Sequence, residues 1–197
     1  MPYSAEHKHR TRARIVEAAR VLFNRHGFEG VTIDAIMKRA DLTRGGFYNH
    51  FASKQQLYSE AVASFLNGRG RRWRDEVGVQ PEKPSLANAE RMIAGYLSAE
   101  HRDDCDGQCP MIALPSDVAR AGKEVQRAYE SLLQGMVGIF ERSLAGRRRD
   151  ARARSLALAA LCVGGMVLAR TLPESELADE VRSEARRIAD KLVRTKT

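Results

Sequence analysis

The chain has 197 residues, enough for one large domain or two small ones with a real buried core. Its 43% hydrophobic and 29% charged residues are ordinary for a globular protein and exclude low-complexity disorder. Lys and Arg outnumber Asp and Glu by 33 to 25, and the net charge of +8 favours a polyanionic partner without separating DNA from RNA or anionic lipid.

Residues 1–66 hold ten Lys/Arg against six Asp/Glu, half of the basic excess. Met1 to Arg10 contains no apolar stretch, so no signal peptide is expected there. Ile15, Ala18, Ala19, Leu22 and Phe23 then recur at helical spacing and predict a first helix, ended by a left-handed Gly27. Thr32 is the expected N-cap of a second helix carrying Ile33, Ile36, Met37 and Ala40, with Asp34 in its first turn. After the turn Asp41-Leu42, Thr43 is placed to cap a very short third helix. Ser53 and Gln56 have capping-box spacing ahead of Tyr58, Ala61, Val62 and Phe65.

Residues 67–84 change regime. Gly68, Gly70, Pro81 and Pro84 predict that the fourth helix frays, bends or ends here, each glycine weakening it by roughly 1 kcal/mol relative to alanine. Ser85 is placed to cap a helix with Leu86, Ala89, Met92, Ile93, Tyr96 and Leu97. A polar loop from His101 to Gln108 is expected next, leading into Cys109-Pro110. A long helix with Val125, Tyr129, Leu132, Met136, Ile139 and Phe140 follows, expected to stop at Gly146. Asp150–Thr171 reads as another helix closed by Pro173, and Leu177, Val181, Ile188 and Leu192 mark the last. The most apolar run, Ser155 to Ala169, is short for a membrane span, and Cys162, Gly164 and Gly165 suit close helix packing. No strand pattern or repeat is present, so the expected fold is all-α with about nine helices and no membrane segment.

Two helices at 33–40 and 43–50 joined by a short turn suit a helix-turn-helix that lays the second across a major groove. Gly45 and Gly46 either let bare backbone approach phosphates and base edges, or merely permit a tight helix crossing. Arg44 has the chemistry for a bidentate contact to guanine, against the alternative of a solvated surface arginine. Tyr48 and His50 suit phosphate contacts, Thr43 and Asn49 lie around the same short helix, and Thr32 opens the support helix. Lys54 stands at a helix start where ammonium and dipole both favour a phosphate. Phe47, Phe51 and Leu57 read as core.

The motifs Phe23-Asn-Arg-His-Gly27-Phe28, Thr32-Ile33, Ile36 and Ala40, followed by Gly45-Gly-Phe-Tyr48, His50-Phe51 and Ser53-Lys54-Gln-Gln-Leu57, resemble those of the TetR family of bacterial transcriptional repressors. The resemblance spans about 50 of the 197 residues. It implies an N-terminal three-helix DNA-binding domain, residues 1–53, with helix 54–75 connecting, and a larger helical domain, residues 54–197, for ligand binding and dimerisation. It further implies a cytoplasmic homodimer, on the nucleoid when bound to a near-palindromic double-stranded operator and released by a small-molecule inducer. Two recognition helices would then sit roughly 34 Å apart on successive major grooves. The family pairs its last two helices across the dimer axis, a role that suits Ala157, Ala160, Gly164 and the Leu177/Val181/Ile188/Leu192 stripe, against the alternative of monomer core.

Met92, Tyr96, Met111, Tyr129, Met136 and Phe140 are candidate ligand contacts, with plain core as the alternative. Cys109 is an expected N-cap with Pro110 at the first helical position, where a thiol is activated. Cys109 to Leu114 resembles a TetR subfamily in which some members sense oxidants or electrophiles, and Cys105 and Cys109 become candidate redox residues; inert thiols and metal binding are the alternatives. Three cysteines cannot all pair within one chain, which fits a reducing compartment. His101, Cys105 and Cys109 supply at most three of about four zinc ligands, so no metal or cofactor is expected. Phosphate-loop, nucleophile-elbow and His-Glu metal motifs are missing, so no enzyme is expected; a helical enzyme or thiol-metal protein is the competing class, and an activator of the same fold the competing regulator.

Overall fold

The computed structural model describes residues 5–144, 150–172 and 174–194. The helix stops expected at Gly146 and Pro173 lie outside them. The described residues form eleven α-helices and one 3-10 helix, and no strand. The chain divides into two compact units: Met1–Asn67 with Cys105–Glu130, and Gly68–Asp104 with Ser131–Thr197.

In the first unit, α1 (Ala5–His26) buries Ile15, Ala18, Ala19, Val21 and Phe23, with Leu22 half-buried beside them. Gly27 closes α1 at φ +68°, its N–H donating to the Phe23 carbonyl at 2.8 Å, as a left-handed terminator should. Phe28, just beyond, packs on Tyr58 and Phe23, with ring centroids 4.9 Å and 5.9 Å away, and so ties the end of α1 to α3 (Lys54–Asn67). Thr32 caps α2 (Ile33–Arg39) by accepting the Ala35 N–H at 3.1 Å.

The third element is a 3-10 helix, Arg44–Asn49, closed by i→i+3 bonds such as His50 N–H to Phe47 carbonyl at 2.9 Å. Thr43 occupies its N-cap position but makes no side-chain cap, so that expectation is corrected. Two adjacent glycines in six residues favour the shorter, tighter helix over an α-helix. Ser53 caps α3 through the Gln56 N–H at 3.1 Å, and the Gln56 carbonyl oxygen returns to the Ala52 N–H at 2.8 Å, one residue earlier than in the usual box.

The helix expected over 54–75 is two helices: α3 ends at Asn67, and α4 (Arg69–Glu76) starts after Gly68. In the second unit Ser85 caps α5 (Leu86–Tyr96) as expected. The polar loop from His101 is corrected. His101 lies in a short helix α6 (Ala99–Asp103), capped by Ser98, and is only 3% exposed. Its ring sits 5.0 Å from both Trp73 and Tyr96, and burial lowers its pKa to about 4, leaving it neutral.

The long helix expected with Val125 to Phe140 is α9 (Lys123–Leu144), and two short helices precede it, α7 (Pro110–Ala113) and α8 (Pro115–Arg120). Pro115 has no N–H and clashes with the preceding turn, so it ends one helix and opens the next. In the second unit α10 (Ala151–Thr171) packs on α11 (Glu176–Arg194) and on α5. α10 is longer than its apolar run, and by length and composition alone it is long enough to cross a membrane.

Gly165 explains the closeness of α10 and α11. A Cβ added there meets the Ala185 Cβ at 2.7 Å and a Leu97 methyl at 3.3 Å. Helix propensity favours alanine by about 1 kcal/mol, but overpacking opposes it by about 1–3 kcal/mol. Gly165→Ala is therefore expected to lower stability, read as a fall in the urea midpoint with an unchanged slope.

Candidate nucleic-acid interface

The 3-10 helix divides its side chains between core and solvent. Phe47 and Phe51 are fully buried, with ring centroids 5.7 Å apart, whereas Tyr48 is 63% exposed and Thr43, Arg44, Gly45 and Asn49 face solvent. Tyr48 is thus the one large apolar side chain on the outer side of a short helix otherwise rimmed by polar groups.

Neither glycine is demanded by packing within the unit. A Cβ at Gly45 meets nothing within 4 Å, and one at Gly46 meets only the Met37 methyl at an ordinary 3.6 Å. The tight-crossing alternative thus loses its support. Arg44 pairs with Asp34 at 2.9 Å across the front of the motif, both side chains being more than half exposed. Such a pair is worth little in water and is readily exchanged for a phosphate or guanine edge.

His50 is half-buried, and its pKa is pushed down first by burial and then by the neighbouring side chains of Lys8, Arg12 and His7. It therefore offers a neutral imidazole rather than a charge. Lys54 is committed elsewhere: its ammonium donates to the Val31 carbonyl at 2.8 Å and stands 4.2 Å above the Phe28 ring. A phosphate contact would have to share that ammonium. Thr32 is exposed, with its hydroxyl engaged in the α2 cap.

Two positioning residues escape the sequence motifs. Arg12 of α1 donates to the His50 carbonyl and to Glu60 of α3, with its guanidinium 4.1 Å above the Phe51 ring. Arg14 donates to the Ala40 carbonyl at 2.6 Å. Both cations meet the carbonyl ends of short helices, where the dipole favours positive charge. In sequence they are two more arginines in a basic stretch, and only the fold gives them partners.

The candidate ligand residues are divided. Met92, Tyr96, Met136 and Phe140 are buried in the second unit. Met111 and Tyr129 belong to the first, where the Tyr129 hydroxyl donates to the Met111 carbonyl at 3.2 Å. None of the three cysteines is in a disulfide; Cys105 is half-exposed, and Cys109 and Cys162 are buried. Cys109 holds the N-cap position of α7, with Pro110 at its start and no side-chain cap bond. The loop between the two cysteines is fastened to α1: Arg20 donates to the Asp106 carbonyl at 2.6 Å, and Asn24 to the Gln108 carbonyl at 2.8 Å. Among the described residues no group of three or more His, Cys, Asp or Glu is placed to hold a metal ion.

Residues 15–61, the segment that builds this surface, match the family of bacterial regulatory proteins of the tetR type. The match is confined to these residues, so it is the N-terminal segment that is similar to the TetR family. The transcriptional regulator YfiR of Bacillus subtilis is 34% identical over 62 residues, which is 32% of this chain and 30% of that protein. The transcriptional repressor KstR2 of Mycobacterium tuberculosis is 33% identical over 88 residues, 45% of this chain and 41% of that protein. The chain thus matches well under half the length of these relatives. Over nearly the whole chain the fold is that of reduced Escherichia coli NemR, with a TM-score of 0.71 at 18% identity, covering 91% of this chain and 96% of that one.

In the first unit, candidate contact residues and positioning residues are separable by experiment. Arg44→Ala is expected to weaken specific DNA binding by about 1–3 kcal/mol and to leave stability within about 0.5 kcal/mol. Arg12→Ala is expected to weaken binding together with stability, by about 1–3 kcal/mol in unfolding, because it removes the donor to the His50 carbonyl and the counter-charge of Glu60. Binding isotherms beside urea titrations distinguish the two.

Proposed function

We propose that this protein is a homodimeric transcriptional repressor that binds double-stranded DNA through its TetR-family domain and leaves it when a small-molecule inducer binds. The observation that carries the reading is the outward row Thr43, Arg44, Tyr48 and Asn49 over the buried Phe47 and Phe51. Gly45 and Gly46 add bare backbone where phosphates and base edges approach, and His50 adds a neutral hydrogen-bonding ring. One short helix reads few base pairs, so sequence-specific affinity needs two copies on a near-palindromic site. KstR2, a repressor by name, supports the sign of regulation.

The second copy has a surface to meet. Apart from Tyr48, the large exposed apolar side chains among the described residues are Leu156, Leu168, Leu172, Leu177 and Ile188, all on or beside α10 and α11. Ala157 and Ala160 are exposed too, and a Cβ at Gly164 would lie in open space. Burying this face between two copies accounts for the apolar length of α10 without a membrane, in keeping with a cytoplasmic protein. On this reading residues 1–53 read DNA, and 54–197 serve dimerisation and the inducer, with Met92, Tyr96, Met136 and Phe140 near the ligand and Met111 and Tyr129 as further contacts. Induction requires a ligand that binds two dimer shapes unequally. No catalytic role is assigned.

Light scattering of the purified protein tests the dimer. The wild type is expected at twice the chain mass and Leu168→Glu with Ile188→Glu at the chain mass, with helicity retained; a wild-type monomer at micromolar concentration contradicts the proposal.

A second reading concerns the thiols. Cys105 is the accessible one, and its loop is hydrogen-bonded to α1, so covalent change there bears directly on the DNA-binding unit. The neighbour NemR is described in a reduced form. If thiol oxidation is the inducing signal, Cys105→Ser is expected to hold DNA in the presence of oxidant where the wild type lets go. Equal release from both ends this reading.

A further inference from the structure

The second unit contains a buried charge with no counter-charge. Arg154, in the first turns of α10, is only 7% exposed, yet neither terminal guanidinium nitrogen has a hydrogen-bond partner, and no ion pair reaches it among the described residues. It lies on the inward face of α10, in line with buried Leu158, Cys162, Met166 and Ala169, away from the exposed Ala157, Ala160 and Leu168. A second copy docked on that outer face therefore does not reach it. An arginine stays protonated in protein, and an isolated buried cation is strongly unfavourable until an anion meets it.

Two more features at the same corner suit an anion. Ser143, at the end of α9, is buried with its hydroxyl unpartnered. The Arg152–Glu141 ion pair, 3.2 Å, holds the end of α9 against the start of α10 and neutralises both of those charges. α10 is 21 residues long, and its N-cap Asp150, exposed to solvent, supplies no side-chain cap, so the first N–H groups of the helix keep their donors. A helical side chain leans back toward the N-terminus, which directs the Arg154 guanidinium to this turn.

We propose that Arg154, Ser143 and the first turn of α10 form an oxyanion site that takes the carboxylate head of an amphipathic organic effector. One guanidinium matches one carboxylate in charge and in two-toothed geometry. Phe140 and Leu158, a turn away on the two helices, are fully buried, so the surroundings behind that head are apolar. The assignment rests on the reading of this unit as the inducer-binding part and gives that inducer a chemical class.

Thermal melting of the full-length protein tests it, with octanoate, benzoate, octylamine and inorganic phosphate as probes. A carboxylate is expected to raise the wild-type melting temperature, whereas octylamine and phosphate leave it unchanged. Without ligand, Arg154→Met is expected to melt as high as the wild type or higher, because it removes an uncompensated buried charge. Its affinity for the stabilising carboxylate should fall by about tenfold or more, as for loss of a charge-assisted hydrogen bond. The proposal is overturned by a low-melting Arg154→Met, which would mean that the chain itself partners the guanidinium. It is equally overturned if neither carboxylate shifts the wild type, if both proteins respond alike, if octylamine stabilises as well, or if phosphate alone does so, since an inorganic ion would then fill the site. DNA binding read in parallel keeps the two ideas apart: failure of both proteins to bind any duplex counts against the repressor reading and leaves the melting result standing.

Discussion

Burial of Phe47 and Phe51 beneath a six-residue 3-10 helix is the interaction on which the DNA-facing surface depends. An isolated helix of this length with two glycines has no stability of its own. Each fully buried ring contributes about 1.5–3 kcal/mol, enough to pin the segment from below. Arg12 completes the attachment from the side, holding the His50 carbonyl, Glu60 and the Phe51 ring together. With the underside fixed, the helix leaves Arg44, Tyr48 and Asn49 outward on a backbone that nothing else crowds.

The same division between fastened and open faces recurs in the second unit. α10 presses one side against α11 so closely that Gly165 has no room for a methyl, and leaves Leu156, Leu168 and its alanines uncovered on the other. Polar groups are treated in the same way. Asp179 is saturated by Arg102 and Arg182, at 3.0 Å and 2.9 Å, and its carboxylate is held below the usual range mainly by Arg182. Arg154, buried near the start of α10, has no such partner. The oxyanion site proposed at Arg154 rests on that contrast rather than on burial alone.

Much of this was legible in the sequence wherever the controlling signal was local. Gly27 as a left-handed terminator, the caps at Thr32, Ser53 and Ser85, and the inward Phe47, Phe51 and Leu57 follow from the preferences of single turns, and the structure has all of them. The break near Gly68 follows from glycine in a helix. Pro115 shows the limit of periodicity: apolar spacing over 125–140 marks α9, whereas the two short helices ahead of it are set apart by the missing N–H of Pro115. His101 shows another: a histidine among charged residues looks like loop, and its burial depends on Trp73, distant in sequence, as well as on Tyr96 of the preceding helix. Arg12, Arg14 and the fastening of Asp106 and Gln108 to α1 were illegible for the same reason, because their meaning lies in carbonyls of other elements.

The measurement that tests the central claim most directly is selection of the purified protein against random duplex DNA at physiological salt, with the survivors sequenced. A dimeric repressor with this interface predicts a two-fold symmetric motif whose half-sites lie about one helical turn, or roughly 34 Å, apart. Binding that depends steeply on salt yet enriches no sequence would contradict it, leaving only the general attraction of a basic surface for phosphate.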